Sequence, residues 1–197
     1  MLTTRLPNFP PEVKPKLLNI YNNYKYRFSE VHSIHKGTKV NIIDNFPHFD
    51  LKIKFCKKIT FLVSKPNLGN SLLHTDRYLM DETGKIIDHS GILIPLKVNK
   101  NKSKFITGRY EDLNKYNITN TLTVDDKTAA GRGAAYEFEY DPELFEELDL
   151  EPAIFINGYI PHLYSNEDDE ERITCKLFFD RTPANEVYDY ICEMGWT

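Results

Sequence analysis

From about residue 50 to residue 181 the chain is a succession of short apolar or alternating runs, and this constrains the fold more than any other feature. "DLKIKFCKKITFLVSK" (50–65) alternates and then turns continuously apolar, which reads as one long strand or a hairpin pair. "GILIPLKV" (91–98) has the length and composition of a short buried strand. "KFITGRY", "NTLTV", "YEFEY", "PAIFINGY" and "ITCKLFFDR" follow as further strands. Strands at this spacing, with Gly, Asn and Asp between them, imply a sandwich, barrel or jelly roll. Two segments interrupt the pattern. The acidic "DPELFEELDLE" (141–151) suggests a short helical turn through Leu144, Phe145 and Leu148. The segment 99–135, with its small-residue tract "DDKTAAGRGAA", reads as a mobile loop of the kind that borders a site.

Helices are expected at the two ends. Val13, Leu17, Leu18, Ile20, Tyr21 and Tyr24 recur near the helical period, and Pro10 and Pro11 suit an entry to the first turn. Val187, Tyr190 and Ile191 stand at i, i+3 and i+4 in "ANEVYDYICEMGW". A length of 197 residues fits one domain. The expected division is a helical extension over 1–50, a β core over 51–181 with an insertion at about 99–150, and a C-terminal helix over 182–197.

Composition narrows the partners. The formal net charge is −4, so the chain lacks the overall positive field of a dedicated nucleic-acid binder. Lys97, Lys100, Lys102 and Lys104 cluster locally, a run that reads as a solvated loop before it reads as a binding patch. The acidic "NEDDEE" (166–171) is read the same way, as a hairpin loop. Three cysteines, Cys56, Cys175 and Cys192, are too few and too scattered for a disulfide framework, and an odd number fits a reducing compartment. Cys56 and Cys175 are expected in the core. The N-terminus has no apolar signal segment, and no run of about eighteen apolar residues occurs. A soluble, cytoplasmic protein without a membrane partner is expected.

Six histidines and 29 acidic residues in 197 give roughly one accidental His-x-Asp/Glu, and the chain has two. His48-Phe49-Asp50 precedes the first long strand and reads as a turn closed by an Asx-type aspartate. His74-Thr75-Asp76 follows that strand, with several strands still to come. On an extended backbone His74 and Asp76 point the same way and can reach one ion. His162 ends the apolar run and turn "EPAIFINGYIPH". Ten residues later Arg172 enters an apolar strand, with Thr174 on its face. A buried guanidinium requires an anion, either a carboxylate of this chain or that of a ligand held bidentately.

This ordered set resembles the iron(II)- and 2-oxoglutarate-dependent dioxygenases over about residues 60–181. "NGYIPH" resembles the family's approach to its second histidine, and "GILIPLKV" the strand after its His-x-Asp turn. The resemblance implies a mainly β fold with flanking helices around a double-stranded β-helix, a jelly-roll, cupin-like core. It implies iron(II) held by His74, Asp76 and His162, and the distal carboxylate of 2-oxoglutarate held by Arg172 and Thr174. Two imidazoles and one carboxylate leave positions open for the 2-oxo acid and O2, a pattern that suits iron better than a closed zinc site. The implied activity is hydroxylation of a substrate C–H bond with release of succinate and CO2, with ascorbate as an accessory reductant. Asn70, Tyr78 and Tyr110 are candidates for the C1 carboxylate. Asp76 is expected to contribute little to stability when its cation is absent. A metal-free jelly-roll binding protein and a cupin-type metalloenzyme that does not use 2-oxoglutarate remain as alternatives.

Overall fold

A computed structural model describes residues 3–25, 29–30, 38–44, 53–54, 56, 58–76, 78–80, 86–87, 90–126, 131–179 and 182–197. Within these, the side chains of 29–30, 38–44, 78–80, 86–87, 110, 122–126 and 131–135 are not described. The elements in chain order are β1 (Thr4–Arg5), α1 (Val13–Tyr24), β2 (Ser29–Glu30), β3 (Thr38–Asp44), β4 (Lys58–Ser64), β5 (Gly69–Asn70), β6 (Tyr78–Met80) and β7 (Ile86–Ile87). They continue with β8 (Ser90–Lys97), β9 (Phe105–Gly108), β10 (Ile118–Asp126), β11 (Gly131–Phe138), β12 (Phe145–Leu148), β13 (Ile154–Asn157), β14 (His162–Asn166), β15 (Arg172–Phe178) and α2 (Ala184–Glu193).

One sheet runs β1-β13-β8-β15-β4-β3-β2, entirely antiparallel. Facing it is a smaller sheet, β12-β9-β14-β5. His74 bridges both β14 and β11, so the smaller layer continues into β10-β11-β6-β7. The inner strands β13-β8-β15-β4 and β12-β9-β14-β5 form the two four-stranded halves of a double-stranded β-helix.

The long apolar runs follow from the larger sheet being covered on both faces. Ile59, Phe61 and Val63 of β4, Ile92 and Ile94 of β8, and Ile173, Cys175 and Leu177 of β15 pack outward against Leu17 and Ile20 of α1 and Val187 and Ile191 of α2. Alternate residues face into the barrel, where Leu62, Leu93, Ile154 and Ile156 meet Phe105 and Tyr164 of the smaller sheet. Arg172, Thr174 and Lys176 share that inward face of β15, opposite Ser64, Leu62 and Thr60. Helix α2 ends in a Schellman turn: Gly195 is at φ +70°, its N–H bonds Cys192 O, and the Trp196 N–H bonds Ile191 O. The turn delivers Trp196 onto Phe9, ring centroids 5.1 Å apart.

Several local expectations are corrected. The strand expected over 50–65 begins at Lys58; Cys56 closes a turn back to Ile53 O and is half-buried, whereas Cys175 is fully buried. Residues 145–148 form strand β12 and no helix, because Phe145 and Leu148 pair with Gly108 and Phe105 on β9 and Phe145 packs on Tyr116. Tertiary pairing overrides the i, i+3, i+4 pattern there. The segment 99–135 is ordered into β9, a 3-10 turn at Tyr110–Asp112 and the hairpin arms β10 and β11; residues 127–130 lie outside the described residues. Residues 1–50 supply α1 and also β1 at one edge of the larger sheet and β3 and β2 at the other.

Leu17 is fully buried beneath α1, while Asn19 on the same helix is exposed. Leu17→Ala is expected to lower unfolding free energy by about 2–5 kcal/mol, and Asn19→Ala to change it by no more than about 0.5 kcal/mol. Urea denaturation with unchanged m-values checks both.

Candidate metal centre

His74 and His162 occupy directly opposed positions on two antiparallel segments. The His74 N–H bonds His162 O at 3.0 Å and the His162 N–H bonds His74 O at 2.8 Å. This reciprocal pair places both side chains on the barrel's inner face, with ring centroids 4.9 Å apart. Asp76, two residues on, is held by its N–H bonding Gly158 O at 2.9 Å. That carbonyl lies in the turn 157–160, where Asn157 Oδ1 accepts from the Tyr159 N–H at 3.1 Å and Asn157 O accepts from the Ile160 N–H at 3.0 Å. One turn therefore positions two parts of the site: it delivers His162 and fixes Asp76.

One ligating atom each from His74, Asp76 and His162 lies within 4.8 Å of the others. His162 Nε2 is 3.7 Å from Asp76 Oδ1. Ligands about 2.0–2.2 Å from a common ion are separated by roughly 3 Å, so the cluster needs a contraction within the range of side-chain torsions. Each histidine is oriented by its other ring nitrogen. His74 Nδ1 lies 2.7 Å from Leu72 O, and His162 Nδ1 2.9 Å from Ile160 O. A carbonyl can only accept, so both Nδ1 atoms carry the proton and both Nε2 atoms present a lone pair. Burial holds the imidazoles neutral: it lowers the His74 pKa and brings that of His162 down to about 3, against the opposing pull of Asp76. Neutral, tautomerically fixed imidazoles beside a carboxylate fit a divalent ion. The donor set is one that holds non-haem iron or a related metal.

Arg172 stands at the start of β15 on the barrel's inward face, beside a cleft lined in part by Lys97, Lys102, Asp168 and Glu170. It is buried, and burial brings its pKa down to about 10, so it stays charged at neutral pH. Its Nη1 donates to Ser165 O at 2.8 Å, its Nη2 to Ser64 Oγ at 2.9 Å, and its guanidinium carbon sits 5.0 Å from the Tyr164 ring centroid. Its Nε has no hydrogen-bond partner, nor has the buried Thr174 Oγ1 two residues on. Among the described residues no carboxylate pairs with Arg172, which counts against the plain ion-pair reading. Tyr164 stands between Arg172 and the cluster, its ring 5.7 Å from that of His162.

One residue escaped the sequence reading. Lys176 is 4% exposed, and its Nζ forms an ion pair with Asp76 Oδ2. The signal was the period-2 continuation of Arg172 and Thr174, hidden in what reads as the apolar run "CKLFF". This pair corrects the expectation for Asp76, which has a cation without any metal. Asn70 is exposed on β5; the side chains of Tyr78 and Tyr110, and the pair His48 and Asp50, lie outside the described residues. The lysine run is matched by acids: Lys97 pairs with Glu170 at 2.6 Å, Lys102 with Asp168 at 3.4 Å and Lys104 with Glu147 at 3.1 Å. No helix among the described residues is long and apolar enough to cross a membrane.

No protein-family model matches the sequence, and no curated protein matches it significantly. Solved structures do. A prolyl-4-hydroxylase from Pseudomonas putida aligns over 92% of both chains with a TM-score of 0.50 and 12% identity. An oxalate decarboxylase from Lactobacillus farciminis, solved as a formate complex, covers 80% of this chain at a TM-score of 0.40 and 13% identity. This chain spans only 32% of that protein's length. A cupin 2 domain-containing protein from Halorhodospira halophila aligns over 84% of this chain and 81% of its own, at a TM-score of 0.30 and 11% identity. At 12% identity the likeness to the prolyl-4-hydroxylase structure bears on the fold alone, a double-stranded β-helix.

Two outcomes follow from this geometry. His162 binds fewer protons folded than unfolded between its lowered pKa of about 3 and the ordinary 6.5. Stability of the metal-free protein is therefore present above pH 6.5 and declines as pH falls, by up to about 1.4 kcal/mol per pH unit from this residue. Denaturation series between pH 7 and pH 5 should show that slope, flattened in His162→Gln. Asp76→Ala leaves a buried ammonium unpaired and is expected to lower stability by about 3–5 kcal/mol, with Lys176→Met in the same chain recovering most of it. A double-mutant cycle measures both.

Proposed function

We propose that the protein is an iron(II)- and 2-oxoglutarate-dependent dioxygenase that converts a substrate C–H bond to C–OH while 2-oxoglutarate and O2 become succinate and CO2. The observation that carries this reading is the placement, on either side of the Tyr164 ring, of the His74–Asp76–His162 cluster and a guanidinium that no acid among the described residues pairs with. The cluster alone would fit many metalloenzymes. Arg172 adds a buried cation suited to the far end of an anionic ligand bound at the metal.

Iron held by His74 and His162 through Nε2 and by Asp76 would supply the activation of O2 and its coupling to oxidative decarboxylation. The chain's own residues do the rest. Arg172 has Nε still to satisfy and Thr174 an unpartnered hydroxyl, both suited to the distal carboxylate. Leu62, Leu93, Ile154, Ile156 and Phe105 form the apolar wall that excludes water and strengthens these polar contacts. A second reading, a metal-free binding protein, is favoured by the Lys176–Asp76 ion pair, which neutralises Asp76 without a metal.

Anaerobic titration of iron(II), then of 2-oxoglutarate, followed by succinate measurement on admitting O2, separates the two. The dioxygenase reading expects a metal-to-ligand absorption band that appears only with both components. Asp76→Ala should abolish succinate formation. Arg172→Ala should leave iron binding nearly unchanged and weaken 2-oxoglutarate by about 2–5 kcal/mol, roughly 30-fold to several thousand-fold. Arg172→Lys should recover part of the loss, since an ammonium lacks the fork. Thr174→Val should cost about 1 kcal/mol. Parental affinity in Arg172→Ala would remove the cosubstrate from the reading.

A further inference from the structure

We propose that Lys176 is a positioning residue that takes one oxygen of Asp76, leaves the other for the metal, and sets the charge of the site in favour of an anionic ligand. The inference rests on the dioxygenase reading only in assuming a divalent metal at the triad.

The division of oxygens is visible. Asp76 Oδ2 pairs with the Lys176 ammonium, whereas Oδ1 faces His162 Nε2 at 3.7 Å. A carboxylate so held ligates through one oxygen and cannot swing to chelate through both. The lysine is accommodated by design of the sheet around it. Its stem passes over Gly91 of the neighbouring strand, where an added Cβ would lie 2.9 Å from Lys176 Cε, 3.2 Å from its Cγ and 2.8 Å from Leu177 O. Its Nζ also lies 4.7 Å from the Phe178 ring centroid, a cation–π contact. Among the described residues Asp76 is its only acidic partner.

The consequence is electrostatic. Counting the triad and Lys176 alone, the imidazoles are neutral and Lys176 offsets Asp76, so a divalent ion entering the cluster keeps both of its charges uncompensated by these four groups, with Glu137 acting on His74 from outside them. Without the lysine it would keep one. Arg172 adds a further cation four residues away on the same strand face. Lys176 thus trades metal affinity for affinity toward an anion bound on the metal, and with Arg172 it favours a ligand with an acidic group at each end.

The two effects have opposite signs, which a supporting role in the fold would not produce. Mn(II), redox-inert and visible by electron paramagnetic resonance, probes the metal; 2-oxoglutarate and oxalate probe the anion on the Mn(II)-loaded full chain. Lys176→Met, which keeps the stem, should bind Mn(II) at least about tenfold tighter and, once loaded, bind 2-oxoglutarate at least about tenfold weaker. Oxalate should weaken likewise, because its effect requires only the metal-bound end. Lys176→Gln keeps a donor to Asp76 while removing the charge; it should show the same opposite shifts, and it carries the test if Lys176→Met does not fold. Parallel losses of both affinities, or no change in either, would overturn the inference and leave the metal centre standing. A parent chain that binds no Mn(II) would overturn the metal reading and this inference together.

Discussion

The reciprocal backbone pair between His74 and His162 is the interaction on which the rest of the site depends. It is an ordinary antiparallel rung, but it joins segments that are 88 residues apart in sequence and closes the smaller layer of the barrel. Because the rung is the hydrogen-bonded kind, the two side chains emerge from the same face at a separation set by the backbone. No long, flexible side chain has to search for its place. The Nδ1 contacts to Leu72 and Ile160, each two residues back, then fix the ring planes. Orientation of both imidazoles is thus settled by residues within two positions of each histidine and by one rung of sheet.

The larger sheet supplies what the rung cannot, a dry and rigid wall. Its central strands are buried on both faces, with α1 and α2 on the outside and the barrel interior on the other side. Such a sheet tolerates inward polar groups only where their interactions are provided. Arg172 has Ser165, Ser64 and the Tyr164 ring; Lys176 has Asp76 and the Phe178 ring. Thr174, between them, has no partner for its hydroxyl. Three successive inward positions of one strand therefore carry hydrogen-bond donors in a chamber otherwise walled by Leu, Ile and Phe. The cost of burying two cations is offset only in part by the interactions these residues make among the described residues.

How much of this was legible depended on whether the information was local. The like orientation of His74 and Asp76 follows from a two-residue period and could be read directly. That His162 lies opposite them is a matter of long-range pairing, and no spacing argument reveals it; only the ordered likeness to a known family pointed there. The apolar run 91–98 was readable as a buried strand because both its faces are covered. Strand β12 was misread as helical because Leu144, Phe145 and Leu148 satisfy a helical period by accident, and its true partner, β9, is about 40 residues away. Lys176 was overlooked for a different reason. A lysine in a strand is usually solvated, and what marks this one as internal is the identity of its neighbour on β8, a glycine that leaves room for its stem.

The hairpin β10–β11 bears on the site through its backbone. Tyr136 O accepts from the Thr75 N–H at 3.0 Å, the Tyr136 N–H bonds Thr75 Oγ1 at 3.2 Å, and the Phe138 N–H bonds Leu73 O at 3.0 Å. The segment that carries His74 and Asp76 is therefore flanked at His74 on both sides, by β14 and by β11, and is interior to its layer. A segment paired on both sides opens only when both pairings are lost, so its candidate ligands are held more firmly than they would be at a sheet edge. Thr75 is the residue through which this is achieved. It stands between two candidate ligands, is fully buried, and spends both its amide and its hydroxyl on the hairpin. The inserted segment is in this sense part of the site's support, although none of its described side chains belongs to the His74–Asp76–His162 cluster.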